Sequence, residues 1–265
     1  MRHKKVWLAA MLAAAGFAAQ SAQAVSNWVG TADYTAAPGA TGDEQTVGNF
    51  DTYDFAPGVV LLEQTSASTF DGWYQSYVTS HQLLSNPVAA TGLNTAYELT
   101  VTAWFTENLN QDGQTFSLTG GGVKLWFDTT PDKNYSGDTG FDNGATILEG
   151  TIIDGSGALL SVGGRGVGFT DLTVRVDSFD SAVFEPDTIA AGSSIFTLRL
   201  NDPADAAFLS PIGSVLGNPY DGTDIKLAAD GYLVLQVPEA KTYVMMLAGL
   251  MLVGFMARRS TGVNV

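Results

Sequence analysis

The chain has 265 residues, 45% of them hydrophobic and 15% charged, with 12 basic residues against 27 acidic ones and a net charge of −15. Such an excess of negative charge repels nucleic-acid phosphates and anionic lipid, so no nucleic-acid partner is expected. Cysteine is absent, which excludes disulfides, thiolate catalysis and cysteine-built zinc or iron–sulfur sites.

The first 24 residues, MRHKKVWLAAMLAAAGFAAQSAQA, carry the three parts of a secretory signal. Arg2, Lys4 and Lys5 give a positive start, Val6 to Ala19 an apolar stretch, and Ala22-Gln23-Ala24 a small-x-small cleavage site. Removal of residues 1–24 and export of the rest are expected. The body, residues 25–237, then holds six basic and 26 acidic residues, a net −20. That balance suits a protein at an outer surface that meets cations or neutral sugars, and it also keeps a secreted chain soluble.

Along the body, segments alternate with the period of two that marks half-buried strands. Val59 to Thr65 and Phe70 to Thr79 are the first candidates. In AYELTVTAWF, Tyr97, Leu99, Val101, Ala103 and Phe105 share one face, with Glu98, Thr100 and Thr102 opposite. VKLWFD turns Val123, Leu125 and Phe127 inward and Lys124 and Asp128 outward. Ala145 to Ile153 follows, then DLTVRVD with Leu172, Val174 and Val176 on one face. SSIFTLRLN and Tyr232 to Val237 complete the set, and Pro203 to Leu209 suits a turn or two of helix. Turn-forming clusters fall at Ala36–Gly42, Gly120–Gly122, Asp154–Gly157, Gly163–Gly168 and Asn218–Gly222. Together they predict an all-β fold, an antiparallel β-sandwich of jelly-roll-like or related topology.

Catalytic groups are scarce. His81 is the only histidine beyond the signal, and its position suits a surface or strand-end residue rather than a general base. Neither HExxH nor GxSxG occurs, and GGRGVG (Gly163 to Gly168) lacks the GK[ST] ending of a phosphate loop. The acidic stretch DTTPDKNYSGDTGFDNG places Asp132, Asn134, Ser136 and Asp138 at alternate positions, the first half of a calcium loop. The glutamate expected at the twelfth position is replaced by Asn143, and the same residues also build turns. Aromatic rings crowd FDGWYQSY, where Trp73 and Tyr77 could stack on sugars, and Trp104 and Trp126 fall on the polar faces of their strands. A sheet covered on both sides would bury such rings instead.

The end of the chain, VPEAKTYVMMLAGLMLVGFMARRSTGVNV, joins a Pro-Glu step to an apolar run and an arginine pair. As a helix, Tyr243 to Ala257 would reach ~22 Å, short of a hydrocarbon layer roughly 30 Å thick. Arg258 and Arg259 would hold that end in the cytoplasm. Pro238, Glu239, the run and the arginine pair resemble the PEP-CTERM sorting tag of exopolysaccharide-producing Gram-negative bacteria, with Ala240 where the family usually has a second proline. The resemblance implies an exosortase partner, transient anchoring in the inner membrane through 243–257, and a sorting signal over 238–260 followed by a tail, 261–265.

FDGWYQSYVTSHQL, TAYELTVTAWFTE, TGFDNGATILEGTI, SAVFEPDTIAAGSSIFTLRLNDP and LAADGYLVLQVPE further resemble the flocculation-associated PEP-CTERM proteins. That likeness implies a non-enzymatic protein of the cell surface or extracellular matrix that retains exopolysaccharide and promotes flocculation. A secreted glycan-active enzyme or a lectin-like carbohydrate-binding module is the alternative.

Overall fold

The structure, a computed structural model, describes residues 25–162, 165–189, 195–201, 206–238 and 249–251. The expected signal, with Ala22 and Ala24, and Glu239, Ala240, Arg258 and Arg259 of the expected tag lie outside the described residues. Among the described residues no helix is long and apolar enough to cross a membrane.

In chain order the strands are β1 (Val25–Asn27), β2 (Gly30–Asp33), β3 (Thr46–Phe50), β4 (Thr52–Phe55), β5 (Gly58–Gln64), β6 (Thr69–Leu83), β7 (Asn86–Val88) and β8 (Glu98–Leu109). They continue with β9 (Thr115–Asp128), β10 (Ala145–Val162), β11 (Arg165–Phe179), β12 (Phe184–Glu185) and β13 (Ile195–Asn201). A short helix α1 (Ala206–Leu209) precedes β14 (Ser214–Val215), β15 (Asn218–Pro219) and β16 (Ile225–Pro238). The all-β, antiparallel expectation holds.

The expected sandwich gives way to a ring. β6, β8, β9, β10, β11, β13 and β16 pair in that order, each antiparallel to the next. β16 then pairs with β4 and β5, and both of these pair back to β6. With β4 and β5 taken as one stave interrupted at Ala56-Pro57, the sheet closes as an eight-stave up-and-down barrel. Closure removes the exposed edges that an open sheet leaves unpaired. Alternation alone does not separate the two architectures, because a sandwich and a barrel both bury every second side chain.

The interior face is apolar. Leu99, Val101 and Ala103 of β8, Val123 and Leu125 of β9, and Leu172, Val174 and Val176 of β11 are fully buried, while Arg175 and Asp177 stand in solvent. Fully burying each of the larger side chains contributes about 1.5–3 kcal/mol. This polarity is the reverse of a lipid-facing barrel, whose exterior is apolar.

The two ends differ. One is plugged: β2, β3 and β12 form a small sheet, and Trp28, Tyr34, Phe50, Tyr53, Tyr97, Phe127 and Phe184 are all buried in the same core. His81 belongs to this plug and is fully buried, not on the surface. A β-bulge between Asp54 and Phe55, where β4 meets β6, lets Thr79 drop out of register and turns His81 inward. Its Nε2 shares a 2.7 Å hydrogen bond with the Tyr34 hydroxyl, which lies 3.2 Å from that of Tyr53. Burial lowers the His81 pKa to about 3, so the ring is neutral. The other end carries the β5–β6 and β8–β9 hairpins and keeps a cavity.

Two expected turns proved to be strand. Gly120–Gly122 lies within β9, and Asp154–Gly157 within β10. Neighbouring side chains fill the space that glycine leaves: a Cβ on Gly157 would come within 2.4 Å of the Phe116 ring. Of the expected turn Gly163–Gly168, Arg165 to Gly168 are likewise strand, paired with Val162 to Leu159 of β10, and residues 163–164 lie outside the described residues.

Candidate functional site

The outer wall of β6, β8 and β9 carries exposed aromatic surface, with Trp73 half-buried and Trp104 exposed. Register places Trp73 beside Trp104 and Trp104 beside Gly122, so the three form one row across three strands. Trp104 lies flat across Gly122, whose Cβ, were there one, would sit 2.3 Å from its ring. The indole therefore rests on the sheet rather than standing away from it, and 42% of the residue remains exposed. Trp73 is half-buried, because one side of it packs on the apolar cluster of Val59, Leu61, Ile212 and Val215.

A shallow groove of about 430 Å³ runs beside these rings, edged by Asp71, Thr106 and Thr119 and floored by Gly120 and Gly121. Thr106 donates from its hydroxyl to one carboxylate oxygen of Asp71 at 2.8 Å, leaving the other without a protein donor among the described residues. Next to the tryptophan row lies Lys124, its ammonium 5.4 Å from the Trp126 ring centre and 6.0 Å from that of Trp104. It also pairs with Glu149 at 3.2 Å. Trp126 donates from its indole nitrogen to the Thr102 hydroxyl at 2.9 Å, which fixes its ring orientation. The arrangement offers flat apolar faces, hydroxyls, the Asp71 carboxylate and the Lys124–Glu149 ion pair on a rigid sheet. Those are the groups that hold a sugar ring by its C–H face and its hydroxyl rim.

Tyr77, the second expected stacking residue, is on the same outer face of β6 but sits apart. The Lys133 ammonium lies 4.3 Å from its ring centre, and the Tyr135 ring packs 6.5 Å away. That covering comes from the acidic loop between β9 and β10. Glu98, fully buried on the outer face of β8, accepts the backbone N–H groups of Asp132 and Lys133 at 3.1 and 3.2 Å and pairs with the Lys133 ammonium at 2.9 Å. Burial raises the Glu98 pKa, and the Lys133 ammonium and the backbone donors oppose that rise. The polar face read for Glu98 and Thr100 is thus an outer face roofed by a loop.

The four residues singled out for calcium are separately engaged. Asp132 accepts from the Asn143 amide, and Asn134 accepts from the Ser136 hydroxyl at 2.9 Å and the Gly137 N–H at 3.1 Å. Asp138 accepts the N–H groups of Leu216 and Gly217 at 2.9 and 2.8 Å, which ties the loop to the β14–β15 hairpin. Among the described residues no three His, Asp or Glu side chains converge as a metal site.

Nothing in the linear pattern marks Asp71 and Thr106 as parts of a groove or Gly122 as the seat of Trp104, because they meet only through register. Glu107 is a further residue not read from the sequence, although a signal for it exists: it continues the inward phase of Phe105 by two residues. Compared with known proteins, the chain matches no family model, no curated protein and no solved structure.

Proposed function

We propose that the protein is exported, sorted through its PEP-CTERM-like tag by an exosortase, and retained at the cell surface or in the extracellular matrix of a Gram-negative bacterium. There it binds exopolysaccharide and promotes flocculation without catalysis. The observation that carries the binding role is the Trp73–Trp104 row laid over Gly122 on an exposed, rigid wall. A planar ring pair with a polar edge stacks on neutral sugar faces, and such contacts tolerate an acidic protein because they need no opposite charge. The non-catalytic reading is supported by the groove's chemistry: among the described residues Asp71 is the one carboxylate lining it, whereas glycoside hydrolysis uses a pair flanking the bond.

The test is complementation of a gene deletion with wild-type protein or with Trp104→Ala. Wild type restores floc formation and cell-bound polysaccharide; Trp104→Ala restores protein abundance but less than half of the retained polysaccharide. Full restoration by the variant removes the groove from the reading, and normal flocs in the deletion strain remove the function.

A further inference from the structure

The open end of the barrel holds a second site, on the opposite face of the same wall. Its cavity is about 180 Å³ and is lined chiefly by Leu62, Phe70, Phe105, Leu109, Phe116 and Leu227, from five strands. Glu107 projects into it, in register with Phe70 on β6 and Leu118 on β9. The residue is 5% exposed and has no hydrogen-bond or ion-pair partner among the described residues. A buried carboxyl without a partner and an unfilled apolar cavity are each unfavourable, for separate reasons. Here they coincide, and a single occupant relieves both.

We propose that this cavity binds a small apolar organic cation, its protonated nitrogen against the Glu107 carboxylate and its hydrocarbon part among Phe70, Phe105 and Phe116. Three considerations select that chemistry. The only ionisable group lining the cavity among the described residues is an acid, so an anion is repelled and a cation gains a charge-assisted bond. The phenyl rings offer their negative faces to an ammonium. The body's net −20 concentrates cations around it. Size limits the occupant to about one ring, since a cavity of roughly 150 Å³ lined by apolar side chains accommodates benzene.

The site also predicts how binding depends on pH. The strands lining the cavity place no other titratable side chain in it among the described residues, so Glu107 alone sets that dependence. Burial raises its pKa to about 7, so near neutrality the empty site is partly protonated, and a bound cation draws the proton off. Affinity for a cation therefore rises with pH through neutrality, whereas affinity for a neutral analogue does not.

Calorimetry on the purified full chain, with benzylammonium, benzyl alcohol and benzoate as probes, tests this. Near pH 8, benzylammonium binds saturably and roughly tenfold or more tightly than benzyl alcohol, the range of one charge-assisted hydrogen bond, and benzoate does not bind. Near pH 5 that preference shrinks toward unity. Glu107→Gln loses the preference while keeping benzyl alcohol binding, which shows that its pocket is intact. Equal wild-type affinity for the alcohol and the ammonium overturns the proposal, as does absence of saturable benzylammonium binding. Undiminished benzylammonium binding by Glu107→Gln also overturns it, since an acidic surface alone would then explain the affinity. The wild-type comparisons decide the matter even if the variant does not fold.

Discussion

Glu107 and His81 occupy opposite ends of one interior, and each is buried in a way that disfavours its charged form. Their effects on stability run in opposite directions. For His81 the folded pKa, about 3, lies below the unfolded value of 6.5, so the unfolded chain binds the extra proton between them. Its contribution is complete above pH 6.5 and is lost as pH falls toward 3. For Glu107 the folded pKa, about 7, lies above the unfolded value of 4.5, so the folded chain holds the extra proton. Its protonated form is tolerated below 4.5, and stability falls as pH rises through 7. Glu107→Gln should therefore stabilise the protein more near pH 8 than near pH 4, the difference being about 3 kcal/mol. Urea unfolding at the two pH values measures it, and an equal shift at both would show that Glu107 is not held in its acid form. His81→Phe should do the reverse in acid: stability near pH 4 rises relative to that near pH 7, provided that loss of the Tyr34 partner affects both pH values equally.

Strands and loops show where one-dimensional reading succeeds. The inward sets of β8, β9 and β11 were legible because every second residue is apolar over several consecutive positions, a pattern that survives any register. Gly120–Gly122 and Asp154–Gly157 misled because glycine signals a turn when neighbouring strands are unknown, yet here it makes room for Trp104 and Phe116. The bulge that turns His81 inward was equally invisible, since it depends on the pairing of β4 with β6. The same logic gives two variants. Gly122→Ala places a Cβ against the Trp104 indole, so the ring must lift from the sheet; the cost is about 1–3 kcal/mol, with weaker polysaccharide binding and altered tryptophan fluorescence. Unchanged fluorescence and binding would mean that the ring need not lie on the strand. Glu98→Ala leaves two backbone N–H groups of the acidic loop without their acceptor and Lys133 without its counter-charge, with only Asn94 Oδ1 to accept from it, at a cost of about 3–5 kcal/mol. Trypsin should then cut after Lys133 in the folded variant far faster than in wild type, and equal cleavage would show that other contacts hold the loop.

Closure of the ring constrains the proposed sorting step. β16 is the stave that joins both sides: Ile195 to Asn201 of β13 pair with Gln236 to Asp230, and β4 pairs with Tyr232 to Val234. β5 meets the start of the same strand, from Ile225 to Ala229. Loss of residues before Gln236 would strip hydrogen bonds from β13, and deeper loss would open the barrel along two seams and expose its apolar lining. The tag-like segment begins at Pro238, where the strand ends, so a cut at or beyond that residue leaves every one of these pairings in place. Intact mass of the protein released from cells should therefore begin at Val25 and end no earlier than Val237, and a strain lacking the exosortase should keep the longer chain in its membrane. A released form ending before Gln236 would contradict the coupling between fold and processing. A cell-bound form that retains Tyr243 to Arg259 in the parent strain would instead make the apolar run a lasting anchor, and polysaccharide retention would then have to act from the inner membrane rather than from the matrix.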